Sequence, residues 1–375
     1  MRSDALFRLV VAFGLAVSIS GCATSDSPQA GTPPQGNDST RQTSSPPTTD
    51  HPSTTVVNPS SLPSPPPSQP DRSTTSSQPA VGPQTIADLL DLRRPVVLAH
   101  TGGEDQYPGG TLYGFNESVK AGVDILDFNV LLTSDGQLVV QHDLTVDRTT
   151  NATGPVAALS YDQLFQLDNA FWFTTACTCV DRPVDEYVWR GVRTGQTAPP
   201  AGYTADDFAV PSLASVVARF PDALLGIEIK GQGEQALAVA RALAAELVRL
   251  DRVSATTVSS FDDAALAEFH TILPQVPLSP GLQATSAWVL GRTPLPQGYS
   301  ILQLPPEFNG VALLSAQLIA DSHAAGYLIW VWPNNRDLEN ALAYRTFLDM
   351  GLDGLNINFP ADGVETVRQF LYLGD

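Results

Sequence analysis

Two histidines and the groups between them carry the chemistry of this 375-residue chain. His100 follows the apolar run Val96-Val-Leu-Ala99, and His142 follows Leu138-Val-Val-Gln141. Between them, Asp127 and Asn129 stand two apart on a third apolar run. Few chemistries want that set. Metal-assisted cleavage of a phosphodiester does, with one imidazole on each side of the phosphorus to take or give a proton near neutral pH. Oxygen ligands on the intervening strand would hold a hard cation against the phosphate. Glu228, in Leu224-Leu-Gly-Ile-Glu-Ile229, adds a carboxylate that an apolar strand has no packing reason to carry, because burying it unpaired is costly. His51, His270 and His323 fall in a linker or on helix faces and receive no role.

The elements that must position these groups alternate. Val96–Ala99 is a continuous apolar run, and Leu112, Phe115 and Val119 then recur at helical spacing with Gly122 as a stop. Ile125–Val130 and Leu138–Gln141 read as strands around the turn Asp135-Gly136. Further strands are expected at Leu224–Ile229, Thr256–Ser260, Val276–Leu278, Ile301–Leu304, Leu328–Trp332 and Leu355–Ile357, with helices between them. Continuous apolar strands each followed by a helix imply a parallel sheet covered on both faces. About eight of them suit a (β/α)₈ barrel, whose active site gathers at strand C-termini. No dinucleotide-type glycine fingerprint follows the first strand. His100, Asp127, Asn129, His142, Glu228 and Lys230 all fall at or near such ends. The stretch from 165 to 211 breaks the rhythm; it is rich in aromatics, proline and glycine, and reads as an inserted lid or recognition cap.

The formal net charge is −19, with 16% charged and 43% hydrophobic residues. So acidic a chain is a poor partner for nucleic acid or for electrostatic docking on an anionic membrane. A phosphate-bearing substrate must be drawn by a local metal or a few basic side chains. At the N-terminus, Arg2 and Arg8 precede an apolar run from Leu9 to Ile19 and then Ser20-Gly21-Cys22. That run is too short to span a bilayer comfortably and reads as an export signal over residues 1–21. The tetrapeptide Ile19-Ser-Gly-Cys22 resembles a bacterial lipoprotein box, which implies that Cys22 is lipidated and the chain anchored to an extracytoplasmic membrane face. Residues 22–85 are dominated by Pro, Ser and Thr, cannot bury a core, and are expected to be a disordered tether. The barrel then occupies 86–375. Of the remaining cysteines, a bridge between Cys177 and Cys179 would be strained at a spacing of two, leaving a C-x-C metal or redox site as the other reading.

In order along the chain stand Ala99-His100, Thr111-Leu112 with its helix, Thr133-Ser-Asp-Gly136, His142-Asp143 and Asp147-Arg-Thr-Thr-Asn151. Ile227-Glu-Ile-Lys230, Ser259-Ser-Phe-Asp262, Trp332-Pro-Asn-Asn335 and Gly351-Leu-Asp-Gly354 follow. In this order and spacing the chain from Pro95 to Pro360 resembles the glycerophosphodiester phosphodiesterases, of the superfamily shared with phosphatidylinositol-specific phospholipase C. The resemblance implies a (β/α)₈ barrel that hydrolyses glycerophosphodiesters to glycerol 3-phosphate and an alcohol, through a cyclic intermediate, with Ca²⁺ or Mg²⁺. It implies that His100 and His142 are the acid/base pair and that Asp127, Asn129 and Glu228 hold the metal. Lys230, Trp332 and Thr101 would then bind substrate: Lys230 would contact phosphate or the carboxylates, Trp332 would line the glycerol pocket, and Thr101 would stand where the family carries a phosphate-gripping arginine. Three departures weaken the site: Thr101 for that arginine, Pro108-Gly-Gly-Thr111 for Pro-Glu-Asn-Thr, and Asp127-Phe-Asn129 for Glu-Leu-Asp. A missing guanidinium removes charge-assisted bonds worth roughly 1.5–3 kcal/mol. Asn129 in place of a carboxylate removes one ligand charge. A slow enzyme and a surface-displayed binding protein for glycerophospho or polyol ligands are the two readings this leaves; a phospholipase with another headgroup is a third.

Overall fold

The computed structural model describes residues 82–175 and 177–374. The export signal, Cys22 and all but the end of the tether lie outside the described residues. Ten strands follow: β1 (Val96–Ala99), β2 (Ile125–Leu132), β3 (Leu138–Val140), β4 (Leu224–Ile229), β5 (Thr256–Ser260), β6 (Ile301–Leu304), β7 (Glu307–Phe308), β8 (Val311–Ala312), β9 (Leu328–Val331) and β10 (Gly354–Ile357). Seven run parallel in the spatial order β5-β4-β2-β1-β10-β9-β6. Between the two ends of that path, Leu278 makes parallel bridges to Val258 and to Tyr299. Backbone bonds from Val258 to Pro277, Ser279 to Val258, Leu278 to Gly298 and Ser300 to Leu278, at 2.9–3.2 Å, close the ring. The expected strand at Val276–Leu278 is therefore present as a one-residue bridge, and the sheet is a (β/α)₈ barrel.

Local sequence explains the frame. β1, β4 and β10 are buried almost throughout, as strands covered on both faces must be. The helix Leu112–Ala121 starts where Thr111 Oγ1 accepts from the Gly114 N–H and stops at left-handed Gly122. The helix Glu234–Arg249 buries Ala236, Val239, Ala240, Leu243, Ala244 and Leu247, a 3–4 spaced stripe, against the barrel. β3 pairs antiparallel with the far end of β2 and does not belong to the ring; β7 and β8 form a separate hairpin. Among the described residues no helix is long and apolar enough to cross a membrane.

The inserted stretch is structured, and its aromatics are committed to packing. Trp189, Tyr203 and Phe208 meet Tyr113 of the helix after β1 at ring separations of 5.1, 4.7 and 4.8 Å. The Arg190 guanidinium lies on the rings of Phe171, Trp172 and Tyr187 at 4.2, 4.6 and 3.7 Å and donates from Nε to Phe171 O at 3.0 Å, while its Nη2 has no partner among the described residues. The described ring contacts thus give the stretch a core of its own beside the first βα unit. Cys177 and Cys179 are joined in a disulfide, which leaves no free thiolate for the C-x-C metal reading. Their Cα atoms are 5.5 Å apart, within the normal disulfide span, because Thr174 N–H bonds Cys177 O and Cys179 N–H bonds Trp172 O, folding the segment back.

Candidate active site

His100 is the first residue past β1, and its ring meets that of His142 edge-on at a centroid separation of 6.0 Å. β3 delivers His142: the Gln141 N–H donates to Asn129 O at 3.1 Å, pinning the strand end beside β2. Asn129 faces Glu228 in the β2–β4 register, and its Nδ2 donates to Glu228 Oε2 at 2.8 Å. Lys230 Nζ is 2.9 Å from Glu228 Oε1 and 3.5 Å from His142 Nε2. Asp127, two residues earlier on the same face of β2, accepts from Asn356 Nδ2 at 3.1 Å. Gly226 permits this, since a Cβ there would lie 2.6 Å from Asp127 Oδ1. Trp332, just past β9, packs against Phe261, just past β5, at 6.2 Å, and Lys230 Nζ sits 5.9 Å from the Phe261 ring. The C-terminal rim of one barrel thus gathers His100, His142, Asp127, Asn129, Glu228, Lys230 and Trp332. Thr101 does not join them. It is 4% exposed in a left-handed backbone, with Oγ1 enclosed and without a partner among the described residues.

Both rings are held from behind. His100 Nδ1 is 2.8 Å from Asn358 Oδ1, and His142 Nδ1 is 2.6 Å from Asp143 Oδ1. Arg148 donates from Nε to Asp143 Oδ2 at 2.7 Å and from Nη1 to Glu104 Oε2 at 3.3 Å, while Glu104 Oε1 stands 3.6 Å from His100 Nδ1. A ring of charges therefore joins the outer sides of the two imidazoles.

The sequence model of the glycerophosphoryl diester phosphodiesterase family matches residues 100–362. The chain belongs to this family. A glycerophosphodiester phosphodiesterase of Bacillus altitudinis is 23% identical over 273 residues, covering 72% of this chain and 96% of that protein. Its counterpart in Bacillus subtilis (strain 168) is 24% identical over 275 residues, covering 73% and 86%. The crystal structure of a glycerophosphodiester phosphodiesterase from Agrobacterium tumefaciens superposes with TM-score 0.51 at 22% identity, covering 72% of this chain and 99% of that one. A phosphodiesterase from Oleispira antarctica, solved with the product sn-glycerol-3-phosphate, gives 0.54 at 19% identity, covering 74% and 98%. At such identities the structural likeness speaks for the fold.

For this family member the electrostatics follow from burial and neighbours. Burial opposes charging His100, but Glu104, Asp127, the Asn358 bond and Glu339 outweigh it and raise its pKa. Burial likewise opposes ionising Glu104, yet Arg148 and both histidines hold its carboxyl down to about 2. Burial pushes Asp127 up to about 6, against the pull of His100, the Asn356 bond and Lys230. Glu339 is pushed up to about 7 by burial.

The implied divalent cation can be tested against the donors present. Asn129 Oδ1 is buried and has no hydrogen-bond partner among the described residues, while Asp127 and Glu228 lie on the same two paired strands. Two carboxylates and an orphaned amide oxygen fit a hard cation. The fit is a low-charge one, and no group of three or more His, Cys, Asp and Glu ligands occurs among the described residues. The Lys230–Glu228 pair competes for one of the carboxylates.

Several functional neighbours escaped the sequence reading. Arg148 and Phe261 stood inside recognised motifs without a role. Glu104 enters where Gly109 leaves room, since a Cβ on residue 109 would lie 2.6 Å from the Glu104 Cβ. Asn358 obeys the same rule as His100 and Lys230, a polar group just past a barrel strand, and could have been found by it.

Proposed function

We propose that the chain hydrolyses glycerophosphodiesters to glycerol 3-phosphate and an alcohol, with His100 and His142 as the acid/base pair. The observation that carries this is the pairing of the rings: 6.0 Å apart, each with Nδ1 engaged from behind, so that Nε2 faces the site, where His142 Nε2 meets Lys230 Nζ at 3.5 Å. One imidazole would take the proton of the attacking hydroxyl while the other gives one to the departing alkoxide. Lys230 would hold a phosphate oxygen beside His142, and Trp332 with Phe261 would wall the polyol. Asp127, Asn129 and Glu228 would hold Ca²⁺ or Mg²⁺, which when bound supplies charge neutralisation on the phosphate. A second reading, ligand binding without turnover, is favoured by Lys230 already neutralising Glu228. Incubating the protein with glycerophosphocholine, with and without Ca²⁺, separates the two. Release of glycerol 3-phosphate that a chelator suppresses is expected; binding of diesters with no release from any of them would favour the second.

We also infer that the barrel is displayed outside the cytoplasm on a lipidated Cys22. The lipoprotein-like Ile19-Ser-Gly-Cys22 and the Cys177–Cys179 disulfide, a bond of oxidising compartments, support this. Labelled palmitate fed to expressing cells should mark the wild type and spare Cys22→Ser; equal labelling of both, or of neither, would refute the anchor.

A further inference from the structure

We propose that Asn358 is a positioning residue that fixes the tautomer of His100, and that Asp105 sets the orientation in which it does so. The proposal rests on the reading of His100 as an acid or base.

Asn358 directly follows β10, at the rim that carries the site. An amide can present either oxygen or nitrogen to an imidazole, and its remaining partners decide which. Here Nδ2 lies 2.9 Å from Asp105 Oδ2. A carboxylate only accepts, so the amide nitrogen must face Asp105 and the oxygen must face His100. Asp105 is itself held: it is 2% exposed and receives the Arg336 guanidinium through Nε at 3.2 Å and through Nη2. The Asn358 backbone is fixed as well, its N–H donating at 3.1 Å to Glu339 Oε2, which also takes the Tyr344 hydroxyl at 2.5 Å.

An acceptor at 2.8 Å from His100 Nδ1 requires that Nδ1 carry the hydrogen. Nε2 is then the lone-pair nitrogen of the neutral ring, and the one that carries the exchangeable proton of the charged ring toward a ligand. The Glu104 carboxylate, with Oε1 3.6 Å from the same Nδ1, is too far to accept a hydrogen bond, but its charge favours a hydrogen on that nitrogen. Without Asn358 the neutral ring would divide between tautomers and lose its fixed plane. His142 is braced differently, by the charged side chain of its neighbour Asp143. The two rings thus reach the site with the same nitrogen forward, one steadied by a neutral amide and one by a carboxylate.

The test begins with nitrogen-15 NMR of the uncleaved, ligand-free protein above the His100 titration. A protonated Nδ1 and a bare Nε2 are expected; the opposite tautomer overturns the proposal whether or not the protein turns over substrate. Asn358→Ala should lower kcat on glycerophosphocholine about 100-fold with KM little changed. The double variant Asn358→Asp with Asp105→Asn exchanges donor and acceptor, restores an acceptor toward Nδ1, and should bring kcat back to within about tenfold of wild type. Full activity in Asn358→Ala, or no recovery in a folded double variant, refutes the role. Absence of all turnover would count against the proposed hydrolysis, and the spectrum would still decide the tautomer.

Discussion

His142→Ala is expected to cut glycerol 3-phosphate release by about 10²- to 10⁴-fold, the usual worth of a positioned acid or base. The variant should fold. His142 is a third exposed, and Asp143, which would lose the imidazole, keeps its bond from Arg148 Nε at 2.7 Å, so no charge is stranded. Lys230 retains Glu228 at 2.9 Å. Turnover measured beside a melting curve makes the result interpretable. Undiminished release by a folded His142→Ala would remove the imidazole pair as the catalytic device.

Asn129→Asp is expected to make stability depend on divalent cation. In the wild type the Asn129 amide donates to Glu228 Oε2 at 2.8 Å, so the carboxamide supplies a hydrogen bond where a carboxylate would supply repulsion. Without metal the variant should lose about 1–3 kcal/mol, because a buried acceptor loses its donor and gains a like charge. Ca²⁺ should offset that loss and raise the variant's melting temperature by more than the wild type's: three ligand charges bind more tightly than two, and saturation at about 100 times Kd contributes about 2.7 kcal/mol. Melting temperatures of both proteins with and without CaCl₂ measure this. If Ca²⁺ moves neither melting curve, the cation does not reside at Asp127, Asn129 and Glu228. Asn129 Nδ2 donates to one Glu228 oxygen across β2–β4, while its Oδ1 has no partner among the described residues.

Much of this was legible because the barrel's rules are local. Continuous apolar strands followed by amphipathic helices gave the ring; polar residues just past its strands gave His100 and Lys230, a polar residue within an apolar strand gave Glu228, and the end of the flanking strand β3 gave His142. What sequence could not show is what stands behind the imidazoles. Asn358 lies 258 positions from His100 and reaches it only because β1 and β10 pair in the closed ring. Glu104 was invisible for another reason: its place depends on the absence of a side chain at Gly109, and an empty volume leaves no mark in a pattern of apolar positions. Thr101 is the reverse case. Its position after His100 suggested substrate contact, but its Oγ1 is buried without a partner among the described residues.

The bridge at Leu278 has a consequence for where the molecule can breathe. Every other junction of the ring is a ladder of at least two register pairs, whereas β5 and β6 are tied through a single residue. Along the seven-strand path β1 stands midway, three strands from either end. The thinnest clasp of the hoop therefore lies diametrically across from the strand that bears His100, and fluctuations that loosen it need not disturb the imidazoles.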